Sequence, residues 1–86
     1  MNNELLNRLW KVYCKGGRNG DIPYTYFKNV YDKDLNFLIH IVSKAYLVNV
    51  IGVKNNLLLA QLIYSDDIAN HIIAFEMIYK HYLDNK

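Results

Sequence analysis

A single cysteine, a single proline and only four glycines in 86 residues set the first limits on this chain. The lone Cys14 excludes an intrachain disulfide and a cysteine-rich zinc site, and it points to a reducing compartment. With one proline, eight tyrosines and 52% hydrophobic residues, the composition is far from that of a disordered chain. No apolar run reaches the roughly 18 residues of a membrane span. The start, MNNELLNRLW, lacks the charged opening and long apolar core of a signal peptide. A cytoplasmic, intracellular protein without membrane contact is therefore expected.

Charge of one sign is also scarce. The formal net charge is only +2, so its distribution says more than its total. Up to Ala60, Arg8, Lys11, Lys15, Arg18, Lys28, Lys33, Lys44 and Lys54 stand against Glu4, Asp21, Asp32 and Asp34. Beyond it, Asp66, Asp67, Glu76 and Asp84 outnumber Lys80 and Lys86. The basic and acidic parts belong to different regions of a single domain, and a domain this small is only modestly stable by itself.

What is present is hydrophobic periodicity. Leu5, Leu6, Leu9, Trp10 and Tyr13 form a helical stripe from Asn3 to Lys15, stopped by Gly16-Gly17, with Arg8, Lys11 and Lys15 as a basic row on the other side. GGRNGD over 16–21 reads as a loop. Pro23 suits the first turn of a short helix running to about Val30 that buries Phe27 and Val30. Tyr31 to Asp34 reads as a turn, with Asp32 as N-cap of the next helix.

The stretch from Asp32 to Tyr64 organises the rest. Leu35, Leu38, Ile39, Val42 and Ala45 recur at the spacing of a packed helix face, and Lys33, Asn36, His40, Ser43 and Lys44 fall opposite. Those polar types grip phosphates or read base edges, although a solvated face has the same composition. Past Ala45 the period shortens towards two, with β-branched Val48, Val50, Ile51 and Val53. Gly52 to Asn56 offers a turn, and LLLAQLIY then reads as a return strand. The expectation is a β-hairpin wing with Lys54, Asn55 and Asn56 at its tip.

Ser65 is expected to cap a final helix whose first turn holds Asp66 and Asp67. Ile68, Ile72, Phe75, Tyr79 and Tyr82 make a heptad-like seam, and Ala69, Ile73, Ala74, Met77 and Ile78 add a second apolar flank. A helix apolar on two sides is either deep in a core or shared between subunits. The small size of the domain favours sharing, as a homodimer through Ile73, Ala74, Met77, Ile78 and Tyr82.

Enzymatic chemistry finds little footing. His40, His71 and His81 lack metal-ligand spacing, Cys14 has no histidine near it in sequence, and GGRNG lacks the lysine and Ser/Thr of a phosphate-cradling loop. No metal, cofactor or catalytic residue is expected.

The order helix, short helix, turn, helix, hairpin, long helix, carried by LIHIVSKAYLVNV, the hairpin and IYSDDIANHI, resembles the winged helix-turn-helix regulators of the multiple-antibiotic-resistance, arsenic-sensing and PadR types. In size it is closest to the small dimeric winged-helix proteins of archaeal viruses and plasmids. The resemblance implies an α+β, mostly helical fold in one domain, 1–86, with residues 1–65 as helix-turn-helix plus wing and 66–86 as the dimerisation helix. It implies sequence-specific binding of double-stranded DNA by a homodimeric transcription regulator. Base readout would come from Lys33, Asn36, His40 and Ser43, and phosphate contact from Arg8, Lys11, Lys15, Arg18, Lys44, Lys54 and Asn55. The alternative is a winged-helix protein-interaction module of a mobile element that binds a host protein, which suits a recognition helix flanked by Asp32 and Asp34.

Overall fold

Helix α1 spans Glu4–Gly16 and turns Leu6, Leu9 and Val12 fully inward, as its stripe requires. The computed structural model describes residues 3–16 and 22–86, so the 17–21 part of the expected loop, with Arg18, lies outside the described residues. Helix α2, Tyr24–Lys33, packs on α1 through aromatic rings: Trp10 meets Tyr24 and Phe27 edge-on at 5.2 and 5.0 Å. It runs three residues beyond the expected Val30, so Lys33 belongs to α2. No four-residue turn separates it from the next helix. Asp34 alone makes the corner, and its carboxylate, rather than that of Asp32, accepts the Phe37 N–H at 3.1 Å as the N-cap of α3.

Helix α3, Leu35–Tyr46, is the hub of the molecule and packs against α1, α2, the short α4 (Leu57–Ile63) and the long α5 (Ile68–Asn85). Leu38, Ile39 and Val42 of the expected stripe are buried along it, with Leu35 and Ala45 half-buried, and Tyr46 joins them in the core.

The expected hairpin wing is absent, and among the described residues there is no strand. The α+β winged helix-turn-helix therefore gives way to an all-helical fold. Instead of bending into a strand at Tyr46, the chain continues as a π-helical turn, Leu47–Ile51, closed by the Gly52 N–H to the Leu47 carbonyl at 2.7 Å. Gly52, with φ of 90°, ends it in a conformation that costs any other residue strain. A 3-10 turn, Val53–Asn55, follows, and the Asn56 side chain accepts the Leu59 N–H at 3.0 Å to open α4.

The reason is tertiary. β-branched residues only mildly disfavour helix, and strand preference depends on a pleated surface to pack against. No other segment supplies one, and an isolated hairpin is marginal in water. Continuing the helix instead buries Tyr46 and Leu47 completely. In LLLAQLI the buried residues are Leu59, Ala60 and Ile63, a helical spacing, and Leu, Ala and Gln are good helix formers.

Helix α5 begins two residues later than expected. Asp67 is its cap, accepting the Ala69 N–H at 2.9 Å, while the Ser65 hydroxyl accepts the Asp67 N–H at 3.0 Å. The C-terminal ends of α1, α3 and α5 meet. A methyl group on Gly16 would lie 2.7 Å from the Tyr46 Cα, the Asn49 amide donates to the Gly16 carbonyl at 2.7 Å, and the Tyr46 hydroxyl lies 2.7 Å from His81 Nδ1.

Candidate functional site

Because four helices surround α3, only a narrow strip of it reaches solvent. Its exposed residues are Asn36, Phe37, Ile41 and Lys44, and exposed Val48 on the π turn continues the line of Phe37, Ile41 and Lys44 at spacings of four, three and four. Helix α4 runs antiparallel beside it: its last residue, Ile63, meets His40, while Asn56 and Leu59 lie with Ile51 at the far end. Tyr64, just past α4, sits under the Lys44 ammonium, 5.5 Å from ring centre to Nζ. The α4 side adds Leu57 and Leu58, 65% and 61% exposed. Both helices thus leave large apolar side chains exposed, and Lys44 over Tyr64 joins them.

This face is rotated from the one the sequence suggested. Of the four residues expected to read bases, only Asn36 is exposed on α3. Lys33 is exposed but on α2. Ser43 is 1% exposed, buried against the neighbouring helices, so it cannot reach a base edge, and its hydroxyl has no hydrogen-bond partner among the described residues. His40 is half-buried and committed to the interior: its Nε2 lies 3.0 Å from the Ile63 carbonyl and its ring stacks on His71 at 4.4 Å. Nε2 of His71 lies in turn 2.6 Å from the Ser65 carbonyl. Burial, followed by repulsion from His71, pushes the His40 imidazole below its ordinary value of 6.5. The hydrogen bond to Ile63 opposes this shift, and Lys44 adds to it.

The residues expected on phosphate do not share one side. Gly16 packed on Tyr46 puts α1 on the buried side of α3, whereas Lys44, two residues earlier and so about 200° round the helix, points outward. Arg8 pairs with Glu4 and lies over the Tyr79 ring at 5.0 Å, and Lys15 donates to the Asn85 carbonyl at 3.3 Å, so both line the α1–α5 seam. Lys11 is exposed on α1. Lys54 is exposed on the 3-10 turn, where the Asn55 amide is tied to the Ile51 carbonyl at 2.6 Å. Neither residue stands at the tip of a wing.

The expected dimer surface on α5 also changes. Ala74 and Ile78 are fully buried in the chain's own core, and Met77 and Tyr82 pack half-buried against that core. Only Ile73 is exposed. Packing against α1, α3 and α4 covers Ala74, Phe75 and Ile78 of the wide apolar face that suggested a second subunit, while Ile68, Ile72 and Ile73 stay exposed.

At the joined ends of the helices the chain leaves an open groove of about 600 Å³. Ile51 from the π turn, Leu59 and Met77 form its apolar floor, and Lys80, His81 and Asp84, within the last turns of α5, stand on its rim. Asn55 and Asn56 close the opposite side.

No family model, curated protein or solved structure matches this chain. Any functional reading therefore rests on the residues themselves. Among the described residues, no three of His, Cys, Asp and Glu come together as a metal-binding group, and no helix is long and apolar enough to cross a membrane. Cys14 is half-buried, with burial raising its thiol pKa.

The sequence did carry a signal for the apolar face. Phe37, Ile41 and Val48 keep helical spacing, but they were eclipsed by the polar residues beside them, of which Ser43 and His40 are covered by helices distant in sequence.

Proposed function

We propose that this chain is a protein-interaction module that docks a partner polypeptide on the α3–α4 face. The observation that supports it is the solvent side of α3 and its neighbours: beside Asn36 and Lys44 it presents Phe37 and Ile41, with Val48 on the π turn and Leu57, Leu58 and Tyr64 on and after α4 also exposed. Large apolar side chains that gather on the surface of a small domain mark an interaction site. Covering each of these side chains contributes on the order of 1 kcal/mol. Lys44, over the ring of Tyr64, adds a requirement for an acidic group in the partner. The partner chemistry is an apolar helix face carrying a carboxylate, and a second copy of the chain is the first candidate to test.

The buried Ser43, the interior His40 and the divided basic residues favour this reading over sequence-specific DNA binding. A photo-crosslinking residue at position 41, in protein expressed in cells, is expected to capture one discrete polypeptide, either a second copy or another chain. The same residue at exposed Asn29 is not expected to do so. Adding Val48→Asp and Leu57→Asp should abolish the capture. Equal capture at both positions, or capture that survives those substitutions, removes the reading. Duplex binding with a steep salt dependence that the same variant retains would restore the nucleic-acid alternative.

A further inference from the structure

The groove at the C-terminal end of α5 is lined by residues other than those of the proposed docking strip, and its chemistry is of another kind. Its floor of Ile51, Leu59 and Met77 is apolar, its volume of about 600 Å³ is that of a small-molecule pocket, and Lys80, His81 and Asp84 all come to it from the end of α5. The π-helical turn that supplies Ile51 is a rare element, and such turns concentrate at functional sites.

The buried hydrogen bond beneath the rim decides what the groove offers. Tyr46 is fully buried, and the one hydrogen-bond partner of its hydroxyl among the described residues is His81 Nδ1, at 2.7 Å. If the imidazole donated this bond, the hydroxyl proton would be left without an acceptor in the interior, which is costly. Tyr46 therefore donates, and burial, which raises its pKa, keeps the hydroxyl protonated. His81 Nδ1 is thus the acceptor, and Nε2 carries the proton. One turn of helix separates Lys80 and His81 from Asp84, so the rim combines an ammonium, a fixed N–H donor and a single carboxylate. Asn56 spends its side-chain oxygen on the Leu59 N–H and keeps its NH₂ as a further donor.

We propose that this groove binds a small amphipathic monocarboxylate, with its apolar chain on Ile51, Leu59 and Met77 and its carboxylate held by Lys80 and the Nε2–H of His81. Asp84 sets the charge limit. Beside it a monoanion is tolerated and a dianion such as a phosphate monoester is repelled.

The test is titration of the purified protein with octanoate, octan-1-ol, octylamine and octyl phosphate, followed by amide chemical shifts and calorimetry at pH 7.5. Octanoate is expected to bind most tightly, to shift amides of the π turn and the last two turns of α5, and to bind about tenfold or more weakly to Lys80→Gln. Lys80 is exposed, so that variant keeps the fold. Tyr46→Phe, which releases the His81 tautomer, should also weaken octanoate while leaving octan-1-ol unchanged. Octanoate no tighter than octan-1-ol, or equal affinity in Lys80→Gln, overturns the proposal. So does preference for octylamine or octyl phosphate, or shifts confined to α3 and α4.

Discussion

Ser43 and His40 show how far the environment of one residue can depart from its type. Both are polar, both lie on α3, and neither is available to a partner. The Ser43 hydroxyl is buried without a hydrogen bond to any described residue, so these leave its desolvation uncompensated. Ser43→Ala is expected to stabilise the fold by about 1 kcal/mol, read as a higher midpoint in urea; a loss of stability would mean that the hydroxyl has a partner. His40 makes stability depend on pH. Its folded-state pKa lies below its ordinary value, first because of burial and then because of His71, so in the window below about 6.5 the unfolded chain binds more protons than the folded one. The contribution is complete above that window and is lost as pH falls through it. The melting temperature should therefore fall on acidification from about pH 7.5 to 5, and less steeply in His40→Gln, whose amide can still reach the Ile63 carbonyl. Parallel slopes for the two proteins would refute it.

At the scale of elements, the decisive contact is between the ends of α1 and α3. Gly16 is the last residue of its helix and is buried, and a methyl group there would meet both side-chain and backbone atoms of Tyr46 at 2.6 to 2.9 Å. Backbone cannot move aside as the tip of a flexible side chain can. Gly16→Ala should therefore destabilise by roughly 2 kcal/mol, although alanine is the better helix former, and calorimetric melting would show it. The same contact explains why the segment after Tyr46 stays helical. Asn49, on the π turn, closes the α1 carbonyl end by donating to Gly16, and a strand beginning at Leu47 would forfeit that bond together with the burial of Leu47. Helix α4 was legible from Asn56 and the leucine-rich run that follows. The β-branched residues before it masked that signal, because their preference for strand holds only where a sheet exists to receive them.

At the scale of the molecule, one core takes residues from α1 through α5 and leaves exposed the apolar side chains of α3 and α4, the groove, and Ile68, Ile72 and Ile73 of α5. On α5, Ala74, Phe75 and Ile78 are internal. Ile78→Asp is thus expected to unfold the monomer, since an unpaired buried carboxylate costs several kcal/mol of a total of about 5 to 15, whereas Ile73→Asp should leave the melting curve nearly unchanged. Circular dichroism separates the two outcomes, and a folded Ile78→Asp monomer would return that residue to an intersubunit surface.

The amino-acid sequence by itself determined the helices with strong periodicity. These are α1, the core stripe of α3 and the long α5, together with the junctions near Pro23 and Asp34, because spacing and capping act within a few residues. It also marked Asp32 to Tyr64 as the organising stretch. Only the tertiary structure decided whether Leu47 to Ile63 would be helix or hairpin, which side of α3 would meet solvent, and whether α5 would spend its apolar surface inside the chain. Each of those choices depends on contacts between residues distant in sequence: Gly16 with Tyr46, His40 with Ile63 and His71, and Tyr46 with His81. Local preference was too weak to settle them, and packing settled them by burying more apolar surface in helix than an unsupported hairpin could.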